Sequence, residues 1–219
     1  MIPFHLRLLA FPLRLFFHLL YHQMAWSYDG IAALVSLGMW KDWVLSVIPD
    51  VEGWRILELG HGPGHLQVAL RKDKNRPLQV YGLDRSPQMS RQACARLKRN
   101  GLTPDLVNGA AQALPFPNQA FHTVVATFPS EYIFHPETLS EVRRVLAPGG
   151  IFIALPLAWI TGHRLLERLA AWLFRVTGEA PLFHDSALEP VRKLGFDTHV
   201  EYRALKSSVL LIIKARKTD

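Results

Sequence analysis

Short apolar runs bounded by turn residues alternate with helix-length stretches along the middle of the chain. Arg55-Ile56-Leu57-Glu58-Leu59 reads as a strand, and Leu66-Gln67-Val68-Ala69-Leu70 reads as a helix start behind a glycine-rich turn. Residues 78–84 repeat the strand pattern and 89–98 the helical one, with Ser86 placed as an N-cap and Pro87 as the first helical residue. Residues 123–127 and 151–155 read as buried strands on either side of a helix over 139–146, stopped by Pro148-Gly149-Gly150. A last helix over 187–194 precedes an antiparallel pair, 196–203 with 208–215, at one sheet edge. Strands alternating with helices in this order predict an α/β fold around an open, largely parallel sheet.

Two further stretches carry helical periodicity. Over 160–176, Leu165, Leu166, Leu169, Trp172, Leu173 and Val176 recur every three or four residues. In the first 24 residues, Arg7, Arg14, His18 and His22 fall on one narrow stripe and leave the rest of the circumference apolar. The interrupting arginines argue against a membrane-spanning helix and against a signal peptide. Two compatible readings stay open for this segment: a helix lying in a bilayer interface with its basic stripe toward headgroups, or a cap over the substrate pocket. The domain plan is thus an amphipathic segment over 1–24, a helical cap over 25–50 and a main domain over 51–219.

The turn Gly60-His61-Gly62-Pro63-Gly64 is where chemistry is expected. A strand, a glycine turn and a helix in sequence predict free backbone N–H groups beside a nucleotide-like ligand. The glycines stand at 60, 62 and 64, which is not the G-x-G-x-x-G spacing of dinucleotide binders, and Glu58 precedes them. A carboxylate there suits a ligand bearing ammonium and sulfonium groups better than one bearing a pyrophosphate. Asp84, 20 residues past Gly64, ends the second strand and can accept from ribose hydroxyls.

These residues, with Leu114-Pro115-Phe116 and Arg144-Val145-Leu146-Ala147-Pro148-Gly149-Gly150, resemble the class I S-adenosylmethionine-dependent methyltransferases, in particular those acting on quinone precursors and other lipid-like compounds. The resemblance implies a Rossmann-like, seven-stranded, mostly parallel sheet with helices on both faces and an antiparallel C-terminal edge strand, under an N-terminal helical cap. It implies S-adenosylmethionine as cofactor and an apolar small molecule or lipid-like acceptor. The cofactor-binding set it implies is Glu58, Gly60, His61, Gly62, Gly64, Asp84, Arg85, Met89, Ala110, Ala111, Gln112, Thr127 and Phe128. Tyr28, Glu131, Tyr132 and His135 are the candidates for meeting the acceptor, each with an ordinary packing or loop reading beside it. His61, His135 or Tyr132 could supply a base if the acceptor needs one. Two positions depart from the family's pattern: Ala110 and His122 stand where acidic residues are common.

Composition narrows the rest. Hydrophobic residues make up 49% of the chain and charged ones 20%, so long disorder is not expected. The single cysteine, Cys94, excludes an internal disulfide and fits the cytoplasm. The net charge of +7 comes in clusters without interleaved aromatics, so nucleic acid is not an expected partner, and no residue cluster has metal-ligand spacing. A nicotinamide oxidoreductase is argued against by the glycine spacing. A non-catalytic protein on the same fold, docked to a membrane, is the alternative.

Overall fold

A computed structural model describes residues 36, 38–162 and 185–218. The N-terminal segment 1–24, Tyr28, most of the cap before residue 38, and the periodic stretch beyond residue 162 lie outside the described residues.

The described chain runs α1 (Trp40–Leu45), β1 (Arg55–Leu59), α2 (His65–Arg71), β2 (Gln79–Asp84), α3 (Pro87–Arg99), β3 (Leu106–Asn108), β4 (Phe121–Thr127), α4 (Pro136–Val145), β5 (Leu146–Ile160), α5 (Glu189–Lys193), β6 (Phe196–Leu205) and β7 (Ser208–Lys217). The strands form one seven-stranded sheet in the order β3-β2-β1-β4-β5-β7-β6. The first five are parallel, and β7 enters antiparallel between β5 and β6. The antiparallel strand is therefore one place in from the edge, with β6 outside it. The order reverses between β1 and β4, where an open parallel sheet leaves a crevice at its carboxyl ends.

Side-chain alternation divides the core into two layers. Ile56, Val125, Ile153 and Leu155 join Trp43, Val44, Leu66 and Leu70 under α1 and α2. Leu57, Leu59, Val124, Ala126 and Ala154 join Leu139, Val142 and Val191 under α4 and α5. Glu58 shares the parity of Ile56, so it faces the α1–α2 layer.

The α3 start follows the sequence: Ser86 Oγ accepts from the Met89 N–H at 3.3 Å, with Pro87 as the first helical residue. β5 is longer than its apolar core implies. Residues 151–155 pair with β4, but the strand continues through Pro156, where the ladder with β7 shifts between Ala154 and Leu157, and ends at Ile160 opposite Ser208. Proline lacks an N–H and reads as a stop, yet an irregularity in the ladder accommodates it. β3 is too short, at three residues, to show a period.

Two conspicuous sequence markers turn out to brace the fold. Glu141 of α4 accepts the Leu114 N–H at 2.6 Å, and Arg144 donates to the carbonyls of Leu114 and Phe116 at 2.9 and 2.8 Å while pairing with Glu141. The Leu-Pro-Phe turn is thereby clamped to α4. His122 lies near the start of β4, where its Nδ1 accepts from the Arg55 N–H at 3.3 Å. That is the end of the sheet away from Glu58, so the acidic residue missing there does not bear on the crevice.

α1 is fastened to the sheet through Trp43, which is 2% exposed and donates from Nε1 to Ser208 Oγ at 2.8 Å. Beside it, Asp50 meets Arg203 and Lys214 at 2.9 and 2.6 Å. Trp43→Phe leaves buried Ser208 without this partner and should lower stability in urea unfolding by about 1–3 kcal/mol. An unchanged midpoint would show that α1 is held by packing alone.

Candidate functional site

The crevice is built at the carboxyl ends of β2, β1 and β4. Glu58, on the central strand, is 2% exposed and receives the Gln67 Nε2 hydrogen bond from α2 at 2.8 Å. Burial pushes its carboxyl pKa up to about 8, against the lowering effect of the Gln67 bond, and the neighbouring charge of Asp84 adds to the rise. The carboxyl is therefore largely protonated at neutral pH in the described structure, and a positive charge brought beside it would favour its ionised form.

The glycine turn differs from the expectation of free N–H groups. Gly60 and His61 donate to the Leu83 carbonyl at 2.7 and 3.4 Å, and Gly64 donates to the His61 carbonyl at 3.0 Å. Gly62 donates to Asp84 Oδ2 at 2.9 Å, and Ser86 donates to Asp84 Oδ1 at 2.7 Å. The turn is satisfied by the end of β2, which leaves no nest of these amides for a pyrophosphate. Each Asp84 oxygen has one protein donor and keeps acceptor capacity for hydroxyl groups.

Close approach explains two of the glycines. A Cβ at Gly60, where φ is +68°, would lie 2.7 Å from the Tyr132 hydroxyl, and one at Gly64, φ +84°, would lie 2.9 Å from the Ala93 Cβ. Tyr132 thus reaches over the turn from the short 3-10 turn Glu131–Phe134. Burial raises its phenol pKa well above the usual range, and the Asp84 and Glu58 charges add to this, so the hydroxyl stays a hydrogen-bond donor.

His61 is 3% exposed, with Nδ1 at 2.8 Å from the Gly62 carbonyl and Nε2 at 3.4 Å from Ser90 Oγ. Burial lowers its pKa, while the charge of Asp84 and the Gly62 carbonyl work the other way. With both ring nitrogens engaged inside the protein, His61 is not disposed to act as a base.

Trp40 and Val44 of α1, Glu58, Gly60, His65 and Thr127 line the cleft at the turn. Phe128, next after β4, has φ +47°, an unusual value for a side chain of that size. Its N–H bonds the Leu155 carbonyl at 2.7 Å, and its ring lies 4.4 Å from Trp40. A larger groove at the opposite end of the sheet is lined by Asp50, Glu52, Lys214 and Arg216, which pair with one another.

Of the sequence candidates, the structure gathers Glu58, Gly60, His61, Gly62, Gly64, Asp84, Tyr132, Thr127 and Phe128 around the crevice. Gly109 donates to the Asp84 carbonyl at 3.1 Å, which brings the half-buried Ala110 near, whereas Ala111 joins the core cluster with Leu83 and Leu114. Gln112 is half-buried, Met89 is buried and Arg85 is exposed. Glu131 and His135 are exposed, unlike the tyrosine between them. Tyr28 lies outside the described residues. Sequence reasoning passes over Trp40 and Gln67. The signal for Gln67 is a lone polar residue in an otherwise apolar helix start, and the structure buries it fully.

Residues 56–150 match the Methyltransferase domain family. The chain is 29% identical over 162 residues to the ubiquinone/menaquinone biosynthesis C-methyltransferase UbiE of Bartonella bacilliformis, an alignment that covers 70% of this chain and 62% of that protein. The UbiE of Cupriavidus taiwanensis is 28% identical over 220 residues, covering 90% of each. The solved structure of an S-adenosylmethionine-dependent methyltransferase from Thermotoga maritima superposes with a TM-score of 0.56 at 19% identity, covering 86% of this chain and 94% of that one.

Because the folded carboxyl of Glu58 titrates near 8 and an ordinary one near 4.5, its protonated form favours the folded state. That stability is complete below the ordinary value and is lost as pH rises through the folded one, by at most about 1.4 kcal/mol per pH unit. Glu58→Gln removes this loss, so the variant should gain stability over wild type as pH is raised across that window. A difference in unfolding free energy that does not change with pH would contradict the burial argument.

Proposed function

We propose that the chain is a class I S-adenosylmethionine-dependent methyltransferase that transfers a methyl group from S-adenosylmethionine to an apolar, quinone-like small molecule. The observation that carries this reading is the buried Glu58 beside a glycine turn whose backbone amides are already satisfied. Such a site favours a ligand that brings positive charge and disfavours one that brings a pyrophosphate.

When bound, S-adenosylmethionine supplies a methyl group activated by its sulfonium. The protein's task is to hold the partners and exclude water. Glu58 would compensate the ligand's positive charge, Asp84 would accept from the ribose hydroxyls, and the glycines would let the ligand approach the backbone. Trp40 and Phe128 would close the crevice on the α1 side, with Thr127 at the end of β4. Tyr132 would act through its hydroxyl as a donor, since a phenol held protonated there is a poor base. Support for a quinone-like acceptor comes from the names of the relatives, which specify C-methylation in ubiquinone and menaquinone biosynthesis.

In this reading the protein works in the cytoplasm at a membrane surface, where an apolar acceptor resides. The basic stripe that the sequence of residues 1–24 predicts for a helix supports that contact. Among the described residues no helix is long and apolar enough to cross a membrane.

Calorimetry with S-adenosylmethionine, S-adenosylhomocysteine and NADH tests the site. The first two should bind in the micromolar range and NADH should not, and Asp84→Ala should weaken both by at least about tenfold, as loss of charge-assisted hydrogen bonds implies. Methyl transfer to demethylated quinols, assayed with and without anionic liposomes and with a variant lacking residues 1–24, tests the rest. Binding without transfer to any quinol would favour the non-catalytic alternative, and transfer indifferent to liposomes and truncation would remove the membrane contact.

A further inference from the structure

Resting on the cofactor reading above, we propose that His61 is a positioning residue for the glycine turn, with its single ring hydrogen on Nδ1, and that Ser90 and Asn108 set that arrangement. The assignment follows from which atoms can donate. The Gly62 carbonyl only accepts, so the 2.8 Å contact with His61 Nδ1 requires a hydrogen on Nδ1. At the other end, the Asn108 amide lies 3.2 Å from the Asp84 carbonyl, which also only accepts and so identifies the near atom as Nδ2. The same Nδ2 donates to Ser90 Oγ at 2.9 Å. Ser90 already accepts there, and its own hydrogen can go to His61 Nε2 at 3.4 Å, which in the Nδ1–H tautomer is an acceptor.

The chain therefore runs in one direction, from Asn108 through Ser90 and His61 to the Gly62 carbonyl. Its far end is Gly62, in the middle of the turn, which is held from both sides. The carbonyl of Gly62 is held by His61, while the Gly62 N–H is held by Asp84 Oδ2 at 2.9 Å. Its near end touches Asp84 again through that residue's carbonyl. The loop closes on the carboxylate assigned to the ribose hydroxyls, so a change at His61 is felt there through the turn.

Packing keeps the ring in place. A Cβ at Gly82 would lie 2.9 Å from His61 Cδ2 and 2.6 Å from a Leu106 methyl, so the imidazole lies against a β2 backbone that only glycine leaves open. On the other side α3, which carries Ser90, approaches the turn closely enough that a Cβ at Gly64 would lie 2.9 Å from the Ala93 Cβ. His61 and Ser90 are both buried, at 3% and 9% exposure, and Asn108 is exposed at the end of β3. Burial further disfavours a charged imidazole, which could not accept from Ser90.

The test begins with the free protein. Nitrogen NMR of histidine-labelled wild type at neutral pH should show His61 neutral, with Nδ1 protonated and Nε2 unprotonated, and in Ser90→Ala the Nε2 resonance should move toward that of an unbonded ring nitrogen. An Nε2–H tautomer, an imidazolium, or no response to Ser90→Ala would overturn the arrangement. The second arm is S-adenosylhomocysteine affinity. His61→Leu should weaken it by about tenfold, as when a buried carbonyl loses its partner, and His61→Asn, whose amide can still donate to the Gly62 carbonyl, should recover most of the loss. Unchanged affinity in a folded His61→Leu protein would overturn the positioning role. If wild type binds no S-adenosylhomocysteine, the cofactor reading fails, and the NMR arm still decides the tautomer.

Discussion

A carboxyl group taken out of water on the central strand is the constraint around which this site is organised. Glu58 is walled by β2 and β4, by Leu66 and Gln67 of α2, and by Trp40 and Val44 of α1. Its charge is costly there without a partner, and among the described residues it meets a neutral amide and no cation. Such a position is a liability for folding and an asset for binding something positive. The same layer that buries it also carries the covering aromatics, so the closeness of α1 to the sheet governs both.

The glycine turn serves this carboxyl by a different logic from a phosphate loop. Its amides point back into the end of β2, and Asp84 stitches the turn to the start of α3 through Gly62 and Ser86. What the glycines provide is closeness, with Tyr132 over Gly60 and Ala93 against Gly64. Two acids of unlike character thus stand near each other: Glu58, mostly neutral and sealed in, and Asp84, held in hydrogen bonds at the mouth. A carboxyl pushed up by burial inside a cleft, as Glu58 is, is typical of functional sites.

The strands bordering the crevice, the Ser86 cap and the positions of Glu58 and Asp84 were legible because each rests on local pattern. The length of β5 was not, since Pro156 reads as a stop and the strand's second half is defined by pairing with β7, far along the chain. Roles that depend on partners far along the chain were not legible either. Arg144 and Glu141 clamp a turn, and His122 sits at the wrong end of the sheet to matter to a ligand. Trp40 and Gln67 become part of the site only when α1 and α2 are folded over β1. The roles of Ser90 and Asn108 depend on donor direction, which no spacing encodes.

The claim that most needs testing is that Glu58 is protonated until a positive charge arrives. Calorimetry of S-adenosylmethionine binding near neutral pH, repeated in buffers of different ionisation enthalpy, counts the protons exchanged. The account predicts release of close to one proton by wild type and almost none by Glu58→Gln. Equal proton exchange in the two proteins, or none in either despite tight binding, would contradict it.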